Sequence, residues 1–446
     1  MSERLFGTDG VRGKAGHYPL DARTIRRLGA ALVRALPHPG RDLQLLVGRD
    51  TRESGEWIER ELAHGAQSQG ARLSSVGVLS TPAIAYLTGT QPFDAGFVIS
   101  ASHNPFEDNG IKVFSHAGEK FTERLEAEVE QIMAGSWEVP EDVDVRVAKA
   151  DLADLYLAHV RTALPDAARL GRLRLAVDCA NGATSKLAPR LLEELGFDVH
   201  GLSCAPDGRN INLACGSTHP EHLQEVVRER GCDGGVAFDG DGDRAIFVDH
   251  RGCIVDGDAV MLLCAKQMKA TGRLRGNAVV ATVMSNIGLE IALREAGIDL
   301  VRCPVGDKYV MEEMINRNLA LGGEQSGHVI FSDFLFTGDG LITALQVLQT
   351  MAATGRSLSD LASQLRTYPQ VLLNVRVRAK ADLAALPQVA RVMADVERQL
   401  GDQGRLLVRY SGTEPLLRIM LEGQNAQQIG AWAEQIAAAV RTTIGA

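Results

Sequence analysis

The sequence predicts an α/β protein with three similar mixed α/β domains and a smaller C-terminal α+β domain around a central cleft. Three observations predict this class. The 446 residues suffice for three or four domains at roughly 150 residues each. Short apolar runs alternate with helical segments in a unit that occurs three times along the chain. Each copy ends in an unusual polar loop, and the segment from residue 366 onward lacks the unit.

The repeated unit consists of an apolar run, a helical segment that ends near a glycine, and two further apolar runs. The first and last runs of the three copies are 45–47 and 96–99, 173–177 and 235–238, and 278–283 and 319–321. Buried runs that alternate with helices are typical of parallel βαβ units. The last segment instead begins with alternating apolar and polar side chains, as a half-solvated strand does. Its predicted elements are a strand at 371–377, a helix at 386–400, a strand at 405–408 and a helix at 426–440.

The polar loops of the three copies follow the last run of each copy. Open α/β sheets bind ligands at the carboxyl ends of their strands, so we expect these three loops to meet at one cleft. The predicted domains, each with one functional loop, are 1–150 with the loop 100–105, 151–248 with the loop 239–244, 249–365 with the loop 323–328, and 366–446 with the loop 409–415.

The charge balance excludes several classes of partner. Lys and Arg total 47 and Asp and Glu total 56, for a formal net charge of −9. An acidic chain binds nucleic acid and anionic membranes poorly, so we expect neither as a partner. The seven cysteines form no C-x-x-C pair, which argues against a disulfide framework and a structural zinc site. The opening residues show no signal-peptide pattern and no apolar stretch is long enough to span a membrane, so we expect a cytoplasmic protein.

The loop of the second copy carries three carboxylates, those of Asp239, Asp241 and Asp243, directly after an apolar run. Carboxylates this close repel one another unless a hard cation such as Mg²⁺ or Ca²⁺ neutralises them. The EF-hand pattern fails at two positions, and the G-x-G-x-x-A pattern here leads into a strand where a dinucleotide site needs a helix. The sequence therefore predicts a metal site, with a solvated acidic turn as the alternative.

The loop of the first copy contains Ser102 beside His103. The glycines of a hydrolase nucleophile elbow are missing. Neighbours in an extended loop point apart, so we expect His103 to be turned away from Ser102. A lone loop serine is most often a turn or cap residue. Lys112, and Arg12 in a glycine-rich N-terminal loop, are cations suited to a phosphoryl group and favour a functional serine.

The two remaining loops offer groups that bind a phosphosugar. Arg409, Ser411, Gly412 and Thr413 lie between two strand-like runs, with Arg418 beyond, and guanidinium groups, hydroxyls and a glycine N–H can together surround a phosphate. An ordinary β-turn would explain the serine and glycine but not arginines on both sides. In the loop 323–328, Glu324 and Ser326 could hold vicinal sugar hydroxyls, and a neutral His328 could exchange protons. A plain turn is the alternative there.

These four loops, in this order, resemble those of the α-D-phosphohexomutase superfamily, and the resemblance covers essentially the whole chain. Within it, the segments 6–13, 108–112 and 323–328 look like those of the bacterial phosphoglucosamine mutases. The phosphomannomutase/phosphoglucomutase branch usually has Met where Gln325 stands. The resemblance implies an isomerase that interconverts glucosamine 6-phosphate and α-D-glucosamine 1-phosphate through a phosphoserine enzyme and a bisphosphate. This reaction supplies UDP-N-acetylglucosamine and hence peptidoglycan.

The resemblance also implies roles for individual residues. Ser102 carries the phosphoryl group, and one Mg²⁺ per chain is held by the phosphoserine and the three aspartates of the loop 239–244. Arg244, Arg12 and Lys112 surround the transferring group, and His328 exchanges a proton. The sugar hydroxyls lie on Glu324 and Ser326, and the loop 409–413 holds the phosphate that is not reacting. The implied ligands are a small phosphosugar and glucosamine 1,6-bisphosphate as activator and intermediate, and a homodimer is compatible with the resemblance.

Three other functions stay open from the residues alone. The first is a sibling phosphomannomutase/phosphoglucomutase, the second a metal-dependent phosphosugar phosphatase, and the third a phosphosugar-binding protein without activity. The presence of Ser102 and the three aspartates argues against a pure binding protein. A separate anchor for a second phosphate argues against a phosphatase, because water brings no second phosphate to be positioned.

Overall fold

The computed structural model describes residues 4–7, 9–37, 40–411 and 414–446. The chain forms two compact units, one of Met1–Met284 with Val301–Ser363 and one of Ser285–Leu300 with Gln364–Ala446. The first unit contains mixed α/β sheets, and the second contains a three-stranded antiparallel sheet with helices. The predicted α/β class, with mixed α/β sheets followed by a smaller C-terminal α+β part, is confirmed. The exact bounds of the four predicted domains stay a prediction.

The first sheet has six strands in the order β1-β5-β4-β2-β3-β6. These are β1 (Val11–Lys14), β2 (Gln44–Arg49), β3 (Arg72–Val78), β4 (Ala95–Ile99), β5 (Asp108–Ser115) and β6 (Val147–Lys149). Its helices are α1 (Ala22–Ala35), α2 (Gly55–Gln67), α3 (Thr81–Thr90) and α4 (Glu123–Met133). Strand β2 is parallel to β3 and β4, whereas β5 runs antiparallel to β4. The mixed pairing brings Lys112 of β5 next to Val98, just before the serine loop.

The second sheet has five strands in the order β11-β10-β9-β7-β8. These are β7 (Arg174–Asp178), β8 (Asp198–Leu202), β9 (Gly234–Phe238), β10 (Ala245–Asp249) and β11 (Ile254–Val255), with helices α5 (Ala153–Arg161), α6 (Leu187–Glu194) and α7 (Glu221–Arg230). Every residue of β9 is buried, as its apolar sequence predicts. The antiparallel partner β10 returns directly from the acidic loop, which is therefore the tight connection at the end of β9.

The third sheet has four strands in the order β13-β12-β14-β15. These are β12 (Ala278–Thr282), β13 (Asp299–Cys303), β14 (Leu321–Gly323) and β15 (Val329–Phe331). The helices of this part of the chain are α8 (Gly257–Ala270), α9 (Ile287–Glu295), α10 (Asp307–Arg317), α11 (Gly340–Thr354) and α12 (Leu358–Ala362), of which α9 belongs to the second unit. The loop 323–328 joins the antiparallel strands β14 and β15. All three loops of the first unit that the sequence predicts to be functional thus follow a buried strand.

The sheet of the second unit has the strand order β16-β18-β17. Its elements are β16 (Gln370–Arg376), α13 (Pro387–Leu400), β17 (Arg405–Tyr410), β18 (Leu416–Glu422) and α14 (Ala426–Ile444). One face of the sheet buries its apolar side chains against the helices, with Ile419, Val375 and Trp432 in that core. The predicted alternation of β16 is confirmed. No helix among the described residues is long and apolar enough to cross a membrane.

Candidate active site

Ser102 lies in the loop after β4, with its side chain almost completely buried. Its hydroxyl donates a hydrogen bond to Asp239 Oδ2 at 2.5 Å. The backbone of Ser102 has φ +52°, in the left-handed region that non-glycine residues seldom adopt. The structure therefore brings the predicted serine and the first predicted metal ligand together, although 137 residues separate them in the chain.

The expectation that His103 turns away from Ser102 is wrong. Ser102 Oγ and His103 Nδ1 are 3.3 Å apart. The alternation of neighbouring side chains holds for extended backbone, and the left-handed conformation of Ser102 breaks it. Burial and the positive charges of Arg244 and Arg12 lower the pKa of His103 to about 4. His103 is therefore neutral at neutral pH.

The acidic loop follows β9, and its three carboxylates converge. Ligand oxygens of Asp239, Asp241 and Asp243 all lie within 4.8 Å of one another, and all three side chains are buried. Gly242 permits this curl, because its φ is +75° and a Cβ there would meet Thr184 Cγ2 at 2.6 Å. Burial and repulsion by the other two carboxylates raise the pKa of Asp239 well above its usual value.

Lys112 neutralises part of this charge from within the first sheet. Its ammonium lies 2.8 Å from Asp241 Oδ2, 3.0 Å from Asp9 Oδ2 and 3.3 Å from Asp243 Oδ2, and its side chain is nearly inaccessible. Burial alone would lower the pKa of Lys112, but the surrounding carboxylates outweigh it and raise that pKa. We call Lys112 with Asp9, Asp239, Asp241 and Asp243 the acidic cluster.

Within the acidic cluster, several oxygen atoms are suited to a hard cation. Asp241 Oδ1 is buried and has no hydrogen-bond partner among the residues that the structure describes. Carboxylate and hydroxyl oxygens are the ligands that Mg²⁺ prefers, and Ser102 Oγ is already within hydrogen-bond distance of Asp239. In the described part of the chain, the three aspartates are the one group of acidic, His or Cys side chains close enough to share a metal ion. The donor set therefore fits Mg²⁺.

The three loops of the first unit line one cleft of 460 Å³. Its walls include Arg12, His103, Asp243, Arg244, Glu324 and His328. A second hollow of 550 Å³ shares His103, Arg244 and Glu324 with it and adds Gln325 and Ser326. The expected meeting of three strand-end loops is confirmed by these lining residues. Both guanidinium groups face the cleft beside the serine and acidic loops.

The loop 323–328 is tied to its surroundings but leaves polar groups accessible. Glu324 Oε1 accepts the Gly306 N–H at 3.2 Å, and Gln325 Nε2 donates to Asp256 Oδ2 at 3.0 Å. Ser326 is exposed. The Gly327 carbonyl accepts the N–H of Ala245, the first residue of β10, so this loop and the acidic loop are held in register.

His328 lines the cleft in a position that defines its tautomer. The Gly338 N–H donates to His328 Nε2 at 3.0 Å, so Nε2 carries no proton and the ring proton is on Nδ1. Nδ1 faces Asp243 Oδ1 at 3.7 Å. Burial would lower the pKa of His328, but the negative charges of Asp243, Asp307 and Glu324 together outweigh it and raise that pKa. An added proton would have to displace the Gly338 hydrogen bond.

Sequence reasoning missed several residues of this site. Thr81 donates to Asp241 Oδ2 at 2.6 Å, and Lys120 lies between Asp9 at 2.5 Å and Asp307. Asp9 had a usable signal, because it stands three residues before Arg12, with which it pairs. Thr81 and Lys120 had none, since their partners lie more than a hundred residues away.

The predicted phosphate loop lies in the second unit. Arg409 of β17 stands directly opposite Arg418 of β18, and we call this pair the arginine row. Arg409 is exposed, and Arg418 lies 3.6 Å from Glu414. Ser411 is buried, donates its N–H to Leu416, and its hydroxyl accepts the Glu414 N–H at 3.3 Å. Gly412 and Thr413 lie outside the described residues.

Four family models match the chain in sequence order. They describe the alpha/beta/alpha domains I, II and III and the C-terminal domain of phosphoglucomutase/phosphomannomutase, and they match residues 3–138, 154–252, 256–368 and 372–439. A phosphoglucomutase/phosphomannomutase family protein from Burkholderia thailandensis has a similar structure, with a TM-score of 0.81, 25% identity, and coverage of 99% of this chain and 98% of that one. The fold of Aspergillus fumigatus N-acetylphosphoglucosamine mutase, solved with GlcNAc-6P and magnesium, is similar with a TM-score of 0.67 at 18% identity, over 98% of this chain and 96% of that one.

Relatives that match over their full length identify the specific family within this group. A phosphoglucosamine mutase from Solibacter usitatus is 49% identical and covers 100% of both chains. A phosphoglucosamine mutase from Syntrophotalea carbinolica is 47% identical and covers 100% of this chain and 99% of its own. The chain therefore belongs to the phosphoglucosamine mutase family, isomerases built from the four phosphoglucomutase/phosphomannomutase domains.

Proposed function

We propose that this protein interconverts D-glucosamine 6-phosphate and α-D-glucosamine 1-phosphate through a phosphoserine and a bisphosphate intermediate, and so supplies UDP-N-acetylglucosamine synthesis. The observation that carries the proposal is the contact of Ser102 Oγ with Asp239 at 2.5 Å, beside a cleft with Arg12 and Arg244 in its walls. A serine, a set of metal-binding carboxylates and cations are the parts that phosphoryl transfer needs. The relatives named phosphoglucosamine mutase support the choice of sugar.

In this mechanism Ser102 is the phosphoryl carrier. A free sugar hydroxyl attacks the phosphorus of phosphoserine, the new P–O bond to the sugar forms, and the bond to Ser102 Oγ breaks. The resulting bisphosphate turns over in the cleft, and its other phosphoryl group returns to Ser102. The attacking hydroxyl loses its proton and Ser102 Oγ gains one. His328 is the proposed group for this proton exchange, and its Nε2 is the ring nitrogen free to accept a proton once the Gly338 hydrogen bond is displaced.

The charge of the transferring group is neutralised from several sides. Asp239, Asp241 and Asp243, together with the phosphoserine, would hold Mg²⁺. Bound there, Mg²⁺ neutralises negative charge on the phosphoryl oxygens. Arg12 and Arg244 would bind these oxygens from the cleft wall, while Lys112 fixes the carboxylates of Asp241 and Asp243.

The sugar and the distal phosphate are bound by other loops. Glu324 and Ser326 would accept and donate hydrogen bonds to ring hydroxyls, and a short loop of this kind can serve both orientations of the bisphosphate. The proposed ligands of the phosphate that is not reacting are Arg409, Ser411, Gly412, Thr413 and Arg418. Because Ser411 already bonds within its turn, the two arginines would supply the main charge.

The decisive experiment is a mutase assay with glucosamine 6-phosphate beside glucose 1-phosphate, with Mg²⁺ and a trace of the matching 1,6-bisphosphate. We expect conversion of glucosamine 6-phosphate with the larger kcat/KM. A preference for glucose 1-phosphate would instead assign the protein to the sibling reaction. Release of inorganic phosphate as the main product would identify a phosphatase, and both results contradict the proposal.

A further inference from the structure

Two buried side chains hold the peptide that carries Ser102. Arg52, in the loop after β2, donates from Nη2 to the carbonyl of Ser102 at 3.2 Å and to that of Asn104 at 2.7 Å. Asn212, in the segment between β8 and α7, donates from Nδ2 to the same two carbonyls at 2.9 and 3.0 Å. The Arg52 side chain is completely inaccessible and Asn212 is buried. Two donors from two sheets therefore share two carbonyls of the serine loop.

The backbone N–H of Ser102 is also held by hydrogen bonds. Its N–H donates to Ser100 Oγ at 2.9 Å, and the Ser100 hydroxyl donates to Asp50 Oδ2 at 2.6 Å. Asp50 also accepts the backbone N–H of Arg52 at 3.0 Å. The loop after β2 thus bonds the carbonyl of Ser102 directly, through Arg52, and its N–H indirectly, through Ser100.

These contacts stabilise a conformation that Ser102 would not adopt by itself. Its φ of +52° is uncommon for a residue with a side chain, and it is this conformation that points Oγ at Asp239. The acidic loop packs against the same contacts, since a Cβ at Gly240 would meet the Ser102 carbonyl at 2.6 Å and Asn212 Nδ2 at 2.8 Å. The serine loop and the acidic loop are therefore aligned through Asn212.

We infer that Arg52 and Asn212 are positioning residues for phosphoryl transfer, which hold Ser102 Oγ in line with the acidic cluster without taking part in the chemistry. The inference rests on the proposed function and adds two residues to it. Phosphoryl transfer depends on placement, and a shift of about 1 Å costs about a hundredfold in rate. The sugar-binding loop 323–328 lies on another sheet, so loss of this support lowers the rate of transfer and leaves sugar-phosphate affinity unchanged.

The variant Asn212→Asp tests the inference with little change of shape. Asn212 has φ +58°, which Asp also tolerates. The substitution replaces the Nδ2 donor with a carboxylate oxygen, which cannot donate a hydrogen bond to the carbonyls of Ser102 and Asn104. We expect kcat to fall at least about tenfold, with KM for glucosamine 6-phosphate within about twofold of wild type. Phosphorylation of Ser102 by glucosamine 1,6-bisphosphate, followed by quenching and intact-protein mass, should slow by the same factor.

The matched control is Asn210→Asp, the same substitution two residues away. The Asn210 side chain bonds only within its own segment, accepting the Asp207 N–H and donating to the Ala205 carbonyl, as far as the described residues show. We expect wild-type kcat, KM and Ser102 phosphorylation. A loss in the control equal to that in Asn212→Asp would overturn the inference, because it would trace the effect to added charge in the segment.

A second variant keeps the inference falsifiable if Asn212→Asp does not fold. Arg52→Lys retains the positive charge but replaces the planar donor fork with one flexible ammonium, and we expect the same loss in kcat alone. Either folded variant with wild-type Ser102 phosphorylation would overturn the inference. A wild-type protein that phosphorylates Ser102 yet does not convert glucosamine phosphates would contradict only the proposed function, since the phosphorylation rates still decide the role of Arg52 and Asn212.

Discussion

The acidic cluster of the first unit and the arginine row of the second both bring charges of the same sign together, but in different environments. In the acidic cluster, Asp241 and Asp243 are buried and share the ammonium of Lys112 with the partly buried Asp9, at 2.8–3.3 Å. In the arginine row, Arg409 faces Arg418 across two strands, and Arg409 is exposed to solvent. Both arrangements place like charges side by side, but only the first is removed from water.

The difference shows that the charges of the acidic cluster are neutralised when the protein folds. The charges of the arginine row stay open to an anion from solution. A buried charge without a partner is costly, so the acidic cluster must be neutralised within the protein. Exposed cations are screened by water and salt, and an unfavourable pair across two strands costs little. A phosphate between Arg409 and Arg418 would relieve that repulsion. In the proposed function, the acidic cluster would carry the chemistry, and the arginine row would contribute affinity and orientation.

The largest expected effect comes from Ser102→Ala. Without the hydroxyl no phosphoserine can form, so we expect mutase turnover to be abolished while sugar-phosphate binding, measured by calorimetry, stays within a few-fold of wild type. Intact-protein mass should show added phosphate on active wild type and none on the variant. The exposed Ser363→Ala is the matched control and should keep full activity. Full turnover in Ser102→Ala would exclude the phosphoserine.

A second large effect is expected for Asp241→Asn in the acidic cluster. Loss of a partner of a metal ligand costs about 10–100-fold in affinity or activity, and removal of a ligand itself should cost more. We expect weaker Mg²⁺ binding by calorimetry and turnover lowered by more than about a hundredfold. Asp142→Asn, in an exposed segment, is the control with the same change of charge. If turnover survives both this variant and thorough chelation, the aspartates have another role.

Arg409→Ala measures the contribution of the arginine row. Loss of one hydrogen bond to a charged group costs roughly 1.5–3 kcal/mol, so kcat/KM should fall about ten- to a hundredfold. The sugar bisphosphate should also escape into solution more often, which can be measured beside product formation. Arg391→Ala, an exposed arginine on α13, should change neither quantity. Unchanged conversion and unchanged bisphosphate release in Arg409→Ala would make this loop a structural turn.

The smallest expected effect tests whether burial raises the pKa of a carboxylate outside the acidic cluster. Asp339 caps α11, and burial raises its pKa to about 6. The unfolded chain loses this proton near pH 3.9, so between these values the folded state binds more protons and its stability falls as pH rises. Relative to Asp339→Asn, wild type should lose about 1.4 kcal/mol in free energy of unfolding between pH 5 and pH 8.

Urea unfolding of both proteins at the two pH values measures this difference. Asp360→Asn is the control for an exposed carboxylate, and its stability relative to wild type should change far less over the same range. A difference for Asp339→Asn that stays constant with pH would show that burial does not set the ionisation of this group. In that case, the contrast between buried and exposed charges would not extend beyond the acidic cluster.

The features that sequence reasoning identified are those whose residues are neighbours in the chain. Asp239, Asp241 and Asp243 occupy alternate positions of one loop, so their convergence needs only a tight turn after β9. The apolar runs predicted the strands, although the last run of the third copy begins its strand at Leu321, two residues later than expected. The strand begins late because helix α10 ends at the left-handed residue Asn318, and residues 319 and 320 connect that helix to the sheet.

The features that sequence reasoning missed depend on partners far apart in the chain. The backbone of Ser102 is left-handed because Arg52 and Asn212 hold its carbonyl from 50 and 110 residues away, and no local pattern marks that conformation. The same holds for Thr81, which reaches Asp241 across 160 residues. The sequence by itself determined which loops are candidates for the chemistry, because each loop is a contiguous set of suitable groups. Only the tertiary structure decided how the groups meet, because the orientation of a buried polar side chain depends on whichever distant donor or acceptor satisfies it.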